Sequence, residues 1–211
     1  SLAGRRCYAG LDLASPLDVA ALVLVFPPDE DGEPYDVLPY FWTPGGTISE
    51  RERRDQVPYQ LWVDQGQMFA SPGEVIEYKG IEHKIHELGQ RFEIHEIAYD
   101  RWGAAQMRQN LEDDGFTVVQ TGQGYASMTA PTKELLGLVI SKRLRHGGHP
   151  VLRWMADNLV VRTDPAGNLK PDKEKSRQKI DGMVALIMAI SRAVIDGHDR
   201  SSYEDEGLLV I

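Results

Sequence analysis

Cys7 is the only cysteine in the sequence, so neither an internal disulfide nor a cysteine-rich zinc site can form. A reducing, intracellular setting is the simplest reading of that scarcity. Long apolar runs are also missing. The longest, near Val19 to Phe26 and Met183 to Ile190, fall short of the ~20 residues that span a bilayer. Ser1 to Tyr8 carries two arginines and no apolar segment, so no secretory signal is expected there. There is no internal repeat, no long low-complexity tract and no Gly-x-x-x-x-Gly-Lys-Ser/Thr loop, so a P-loop motor cannot be claimed for this chain. Positive charge is in deficit: 23 Lys and Arg stand against 32 Asp and Glu, a formal net charge of -9. That balance argues against a general nucleic-acid binder. The six histidines are scattered. His83 and His86, three apart, read as part of a solvated amphipathic segment rather than a metal pair.

What is present suits one domain of generous size. The 211 residues are 42% hydrophobic and 26% charged, ordinary values that supply one real core. Basic residues cluster at Arg51 to Arg54, Lys142 to His146 and Lys170 to Lys179, and such runs read first as solvated faces.

Cys7 to Ala14, Asp18 to Phe26 and Tyr35 to Thr43 read as three strands with short connections, an antiparallel meander. Ile48 to Asp64 reads as a helix interrupted at Pro58, and Glu74 to Leu88 as another, bent at Gly80. Ile94 to Tyr99 is a fourth strand running into Asp100, then a helix from Trp102 to Glu112 and a fifth strand from Phe116 to Thr121. Pro131 occupies a first helical position, which predicts a helix from Thr132 to His146 ended by Gly147-Gly148. Pro150 to Asn158 is a short helix. Asp164-Pro165-Ala166-Gly167 turns a hairpin between Leu159 to Thr163 and Asn168 to Lys170. The last helix is expected from Glu174 to Ile195. These elements predict an α/β fold, a mixed sheet with helices on its faces, over residues 1–196, and a polar, acidic tail over 197–211.

Three aspartates carry candidate chemistry. Asp12 lies among apolar neighbours in Gly10-Leu11-Asp12-Leu13-Ala14. Strand interiors disfavour aspartate, and a buried carboxylate needs a partner, for which a hard metal ion is well suited. The alternative is a solvent-facing strand. Asp100 ends the fourth strand, where open sheets build sites, but it also suits a helix N-cap. Asp181 edges the inward stripe of Ile180, Val184 and Ile187, or else sits on an exposed face. Together they offer Mg²⁺ or Mn²⁺ an all-oxygen ligand set. Two such ions about 4 Å apart can activate water and stabilise the leaving oxygen of a phosphodiester. Lys173, Lys175 and Lys179 are candidates for neutralising phosphate.

The ordered set of Gly10-Leu11-Asp12-Leu13-Ala14 with Asp18, Tyr99-Asp100-Arg101-Trp102, Pro171-Asp172-Lys173, and Lys179-Ile180-Asp181-Gly182 with Ala185 resembles a known family. It is similar to the C-terminal nuclease domain of the large terminase subunit of tailed bacteriophages, of the HK97-like type, from Tyr8 to about Arg192. The resemblance implies a ribonuclease H-like fold and a two-metal endonuclease that cuts concatemeric viral DNA during genome packaging. It implies that Asp12, Asp100 and Asp181 hold the metals. Asp18 is then either an accessory acid or simply the start of the second strand. The hairpin around Asp164 to Asn168 resembles a family element beside the active site that contacts or gates DNA. Double-stranded DNA, a terminase ATPase domain absent from this chain, the small terminase subunit and the portal are the implied partners. The implied location is the cytoplasm of an infected bacterial host.

Two other readings stay open on the residues alone. A transposase, integrase or Holliday-junction resolvase of the same fold would share the acidic cluster. A non-catalytic interaction module would use its acids only to keep its surface soluble.

Overall fold

The computed structural model describes residues 1–13, 15–30, 32–100 and 105–206, with side chains described as far as residue 195. Strands β1 (Arg6–Asp12), β2 (Ala20–Phe26) and β3 (Tyr35–Pro44) form the expected antiparallel meander, with Asp12 opposite Ala21 and Ala20 opposite Trp42. A short strand β4 (Phe69–Ser71), which the sequence reading missed, pairs with β3 in parallel. Strand β5 (Glu93–Tyr99) lies parallel to β1, with Leu11 beside Tyr99, and β6 (Val118–Gln120) lies parallel to β5. The path is β4-β3-β2-β1-β5-β6, and a two-residue strand β7 (Leu144–Arg145) adds to β3.

Helices cover both faces, which explains why all seven residues of β2 are buried and apolar. One core joins Tyr8, Ala21, Val23 and Val25 to helices α5 (Tyr125–Ile140), α6 (Pro150–Asn158) and α7 (Asp181–Glu206). The other joins Cys7, Ala9, Leu11 and Leu22 to α3 (Tyr78–Gly89) and α4 (Ala105–Asp113). Side chains alternate along a strand, so Asp12 shares the face of Tyr8 and Gly10, the face that α7 covers. Helix α1 (Ile48–Asp55) and helix α2 (Tyr59–Asp64) break at Pro58 as expected. The hairpin of β8 (Val161–Thr163) and β9 (Leu169–Pro171) turns on Asp164, whose Oδ1 accepts from the backbone of Ala166 and Asn168. It packs on α5 through Thr129, whose hydroxyl donates to the Leu169 carbonyl and accepts from its amide, both at 3.1 Å.

Several helix boundaries differ from expectation. Pro131 lies inside α5 rather than at its start, because buried Met128, Pro131, Thr132 and Leu135 anchor the preceding turn as well as the following one. Helix α5 ends at Ile140, and β7 occupies part of the stretch expected to continue it. Helix α3 begins at Tyr78 and runs unbroken through Gly80, since the inward stripe of Ile81, Ile85 and Leu88 outweighs one glycine. Helix α7 begins at Asp181, not Glu174, and continues past Ile195 to Glu206. Residues 173–179 are polar and supply no inward stripe, so they form turns instead. The expected start of the helix at Trp102 lies outside the described residues. Among those described, no helix is long and apolar enough to cross a membrane.

Candidate active site

Asp12 is the last residue of β1 and only 1% exposed, so the solvent-facing alternative is excluded. Asp181 is the first residue of α7 and 4% exposed, so it does not sit on an outer face either. Its position also puts a carboxylate at the positive end of a long helix. What brings strand end and helix start together is close backbone packing. A Cβ on Gly182 would fall 2.6 Å from the Phe41 ring and 2.9 Å from Met155 Sδ, so a larger residue would have to push those side chains aside. The Gly182 amide donates to Met155 Sδ at 3.0 Å.

One cation spans the two acids. Lys173 Nζ lies 2.6 Å from Asp12 Oδ2 and 3.5 Å from Asp181 Oδ1. The Asp181 Oδ2 atom is buried and accepts no hydrogen bond from the described residues. Burial, reinforced by the charge of Asp12, pushes the Asp181 carboxyl up to about 7, against the pull of Lys173. Burial alone would lower the Lys173 ammonium, but Asp12 and Asp181 more than reverse that and raise it. Asp100 follows Tyr99, and Asp12 follows Leu11, the partner of Tyr99 on the neighbouring parallel strand. The carboxyl ends of these two strands therefore carry Asp12 and Asp100 side by side, at the sheet edge where such folds build sites. Asp100 is half-buried.

The turn that presents Lys173 is held by Asp172, a buried acid that the sequence reading took only as part of the approach to the last helix. Its Oδ1 accepts from the amides of Glu174 and Lys175, each at 3.1 Å, and its carbonyl accepts from the Ser176 hydroxyl at 2.7 Å. The pattern Asp-x-x-x-Ser was the available signal, since an aspartate commonly caps its own following turn.

Asp18 belongs to a second cluster. Its carboxylate pairs with Arg51 Nη2 at 3.0 Å and receives the Lys179 ammonium. Arg51 is 3% exposed, donates to the Thr43 hydroxyl and lies over the Tyr59 ring at 4.6 Å. The reading of Arg51 to Arg54 as a solvated run is thus corrected at its first member. Ile48 and Arg51, three apart, share the inward face of α1, and that spacing was the signal. Lys175 is exposed and joins neither cluster through a described ion pair.

Both clusters border a cleft of about 710 Å³ whose walls include Asp18, Arg54, Lys173, Arg177, Lys179 and Asp181. Among the described residues no three His, Cys, Asp or Glu side chains are assembled around a common point for an ion. Between the buried aspartates the cation is Lys173. The donor chemistry nonetheless suits a hard divalent ion: oxygen ligands only, desolvated, with one carboxylate oxygen lacking a hydrogen bond.

Over 191 residues the chain is 41% identical to the terminase large subunit of Enterobacteria phage HK97, covering 90% of this chain and 38% of that protein. The crystal structure of the HK97 large terminase superposes with a TM-score of 0.84 at 40% identity, over 91% of this chain and 40% of that one. The large terminase nuclease from thermophilic phage G20c with bound magnesium shares the fold, with a TM-score of 0.56 at 11% identity, over 90% of this chain and 84% of that one. The chain thus spans well under half the length of the HK97 protein. The expected ribonuclease H-like sheet, an antiparallel meander joined to parallel strands and flanked by helices, is the one observed. The model of the terminase large subunit endonuclease domain matches residues 1–196, and the chain belongs to that family.

Proposed function

We propose that this chain is a divalent-metal-dependent endonuclease that hydrolyses DNA phosphodiesters at the site led by Asp12, Asp100 and Asp181. The observation that carries the reading is the meeting of Asp12 and Asp181, two buried carboxylates from a strand end and a helix start, across one shared cation. Asp100 enters from the adjacent strand end. The magnesium in the related G20c nuclease supports the choice of ion.

These three acids would hold Mg²⁺ or Mn²⁺, two ions in the full site. Bound there, the ions supply Lewis-acid stabilisation of the phosphate and a water acidified enough to attack it. The chain's own contributions are positional. Gly182 lets α7 bring Asp181 to Asp12. Burial keeps both carboxylates short of water, which strengthens their hold on a cation. The cations along the cleft, Lys173 and Lys179 with Arg54 and Arg177, would track the phosphate backbone without reading bases. Asp18 then acts at one remove, by fixing where Lys179 points. The expected role of Lys175 is weaker, at the outer margin of the same path.

The biological setting follows from the family. The substrate would be concatemeric viral DNA cut during packaging in the bacterial cytoplasm. The ATPase domain, small terminase subunit and portal would be the partners that hold DNA near a domain whose own net charge is -9. Plasmid cleavage tests the assignment. Asp12→Asn and Asp181→Asn should each fold and lose Mn²⁺-dependent nicking by at least about a hundredfold, as loss of a metal ligand's support does. Undiminished cleavage by either variant would remove that residue from the site.

A further inference from the structure

We infer that Lys173 competes with divalent ions for Asp12 and Asp181, and that nucleic-acid phosphate draws it away, so that metal loading and substrate binding promote one another. This inference rests on the nuclease reading above.

The ammonium lies within ion-pair distance of both acids, at 2.6 and 3.5 Å. A divalent ion held by these carboxylates would need the oxygens that the ammonium now faces, so the two would exclude each other. Lys173 is also an incomplete partner. It brings one positive charge to two carboxylates and leaves Asp181 Oδ2 without a hydrogen bond. A divalent ion brings twice the charge of one ammonium to the same oxygens.

The geometry lets the side chain leave while the backbone stays. Asp172 clips the turn from within, so the Lys173 Cα is fixed. The side chain is 37% exposed, against 2% for that of Asp12, and it opens on the cleft. A flexible four-carbon arm can swing from the acids into the cleft without disturbing either strand or helix.

Its destination is set by its neighbours. Lys179 stays tied to Asp18, whose other oxygen is held by buried Arg51. Among the described residues the carboxylate partners of Lys173 are Asp12 and Asp181, the two that metal would take. Divalent charge beside it repels the ammonium, and a phosphate in the cleft offers it a new anion. Metal thus frees the group that grips DNA, and DNA stabilises the rotamer that vacates the metal position. Linkage requires the two effects to be equal in size.

The experiment is Mn²⁺ titration of this chain by electron paramagnetic resonance, counting free ion, with and without a short DNA duplex, completed before cleavage proceeds. Wild type should bind Mn²⁺ about tenfold more tightly with the duplex present, within the usual range of coupling between sites. Lys173→Met, which keeps the arm and removes the charge, should bind Mn²⁺ about tenfold more tightly without DNA and gain little when DNA is added. Lys173→Arg should retain coupling. Unchanged or weakened Mn²⁺ affinity in Lys173→Met, or wild-type affinity indifferent to DNA, would overturn the inference. The wild-type arm decides the matter even if the methionine variant folds poorly. Asp12→Asn separates the two levels. If it loses Mn²⁺ binding while Lys173→Met behaves as wild type, only the competition fails. If it binds Mn²⁺ normally, the metal site itself is misassigned.

Discussion

Gly10 lies so close beneath Ala185 that a Cβ on the glycine would fall 1.9 Å from the Ala185 carbonyl oxygen. The obstacle is helix backbone, which cannot rotate away as a side chain can. Helix α7 therefore lies on β1 as near as two backbones allow, and that contact sets the distance from Asp12 to Asp181.

Gly10→Ala should lift α7 from the sheet. We expect a loss of about 3 kcal/mol or more in urea unfolding, at the upper end of overpacking costs. Mn²⁺ affinity should fall with it, because the two acids part. Wild-type stability in this variant would mean that the helix has slack the geometry denies.

Arg51 is the structural counterpart. Its guanidinium is buried against Thr43, Tyr59 and Asp18, and removing it leaves the partly buried Asp18 carboxylate with Lys179 as its described cation. Arg51→Met should cost about 2–3 kcal/mol, somewhat below the cost of breaking a fully buried pair because Asp18 keeps some solvent contact. Arg51→Lys should restore little, since an ammonium lacks the planar guanidinium that reaches Asp18 and Thr43 while lying over the Tyr59 ring. In the double variant with Asp18→Asn, losses that simply add would show that the two residues do not interact.

The raised Asp181 carboxyl links metal binding to pH. Its folded value of about 7 lies above the ordinary 3.8, so the folded state holds an extra proton between those values. Without divalent ions, the stability this proton contributes is lost as pH rises through about 7. With Mn²⁺ the ion replaces the proton. The gain in melting temperature on adding Mn²⁺ should therefore grow from pH 6 to pH 8, and Asp181→Asn should abolish that growth. A pH-independent Mn²⁺ effect in wild type would contradict the link.

His149 works in the opposite sense. Burial first, then the charge of His146, lowers it from 6.5 to about 4, and its ring packs 5.3 Å from that of Phe41. The unfolded chain binds the proton more readily, so stability falls as pH drops from about 6.5 to about 4 and then levels off. Allowing for its partial exposure, the loss should be about 1–2 kcal/mol. Thermal melts of His149→Gln across that window should show a flatter profile than wild type.

Local pattern was enough for much of the architecture. Short apolar runs bounded by turn residues identify β1, β2 and β3, and Pro150 with the run to Asn158 marks α6 at both ends. Asp164-Pro165-Ala166-Gly167 specifies its own turn through contacts between residues two to four apart. Signals of that kind are complete within a few residues, so they can be read without knowing the fold. The order of the three acids along the chain was equally plain. Tertiary structure decided everything that depended on what lay opposite. Pro131 starts a helix by local rule and sits inside one in fact, because α5 has a buried face. Arg51 looks like a surface charge until α1 is laid against Asp18. The burial of Asp12 and Asp181, and the lysine that joins them, arise only when α7 closes on Gly10. Charges separated by 161 residues, as Asp12 and Lys173 are, meet through backbone packing, and no periodicity in the chain encodes that distance.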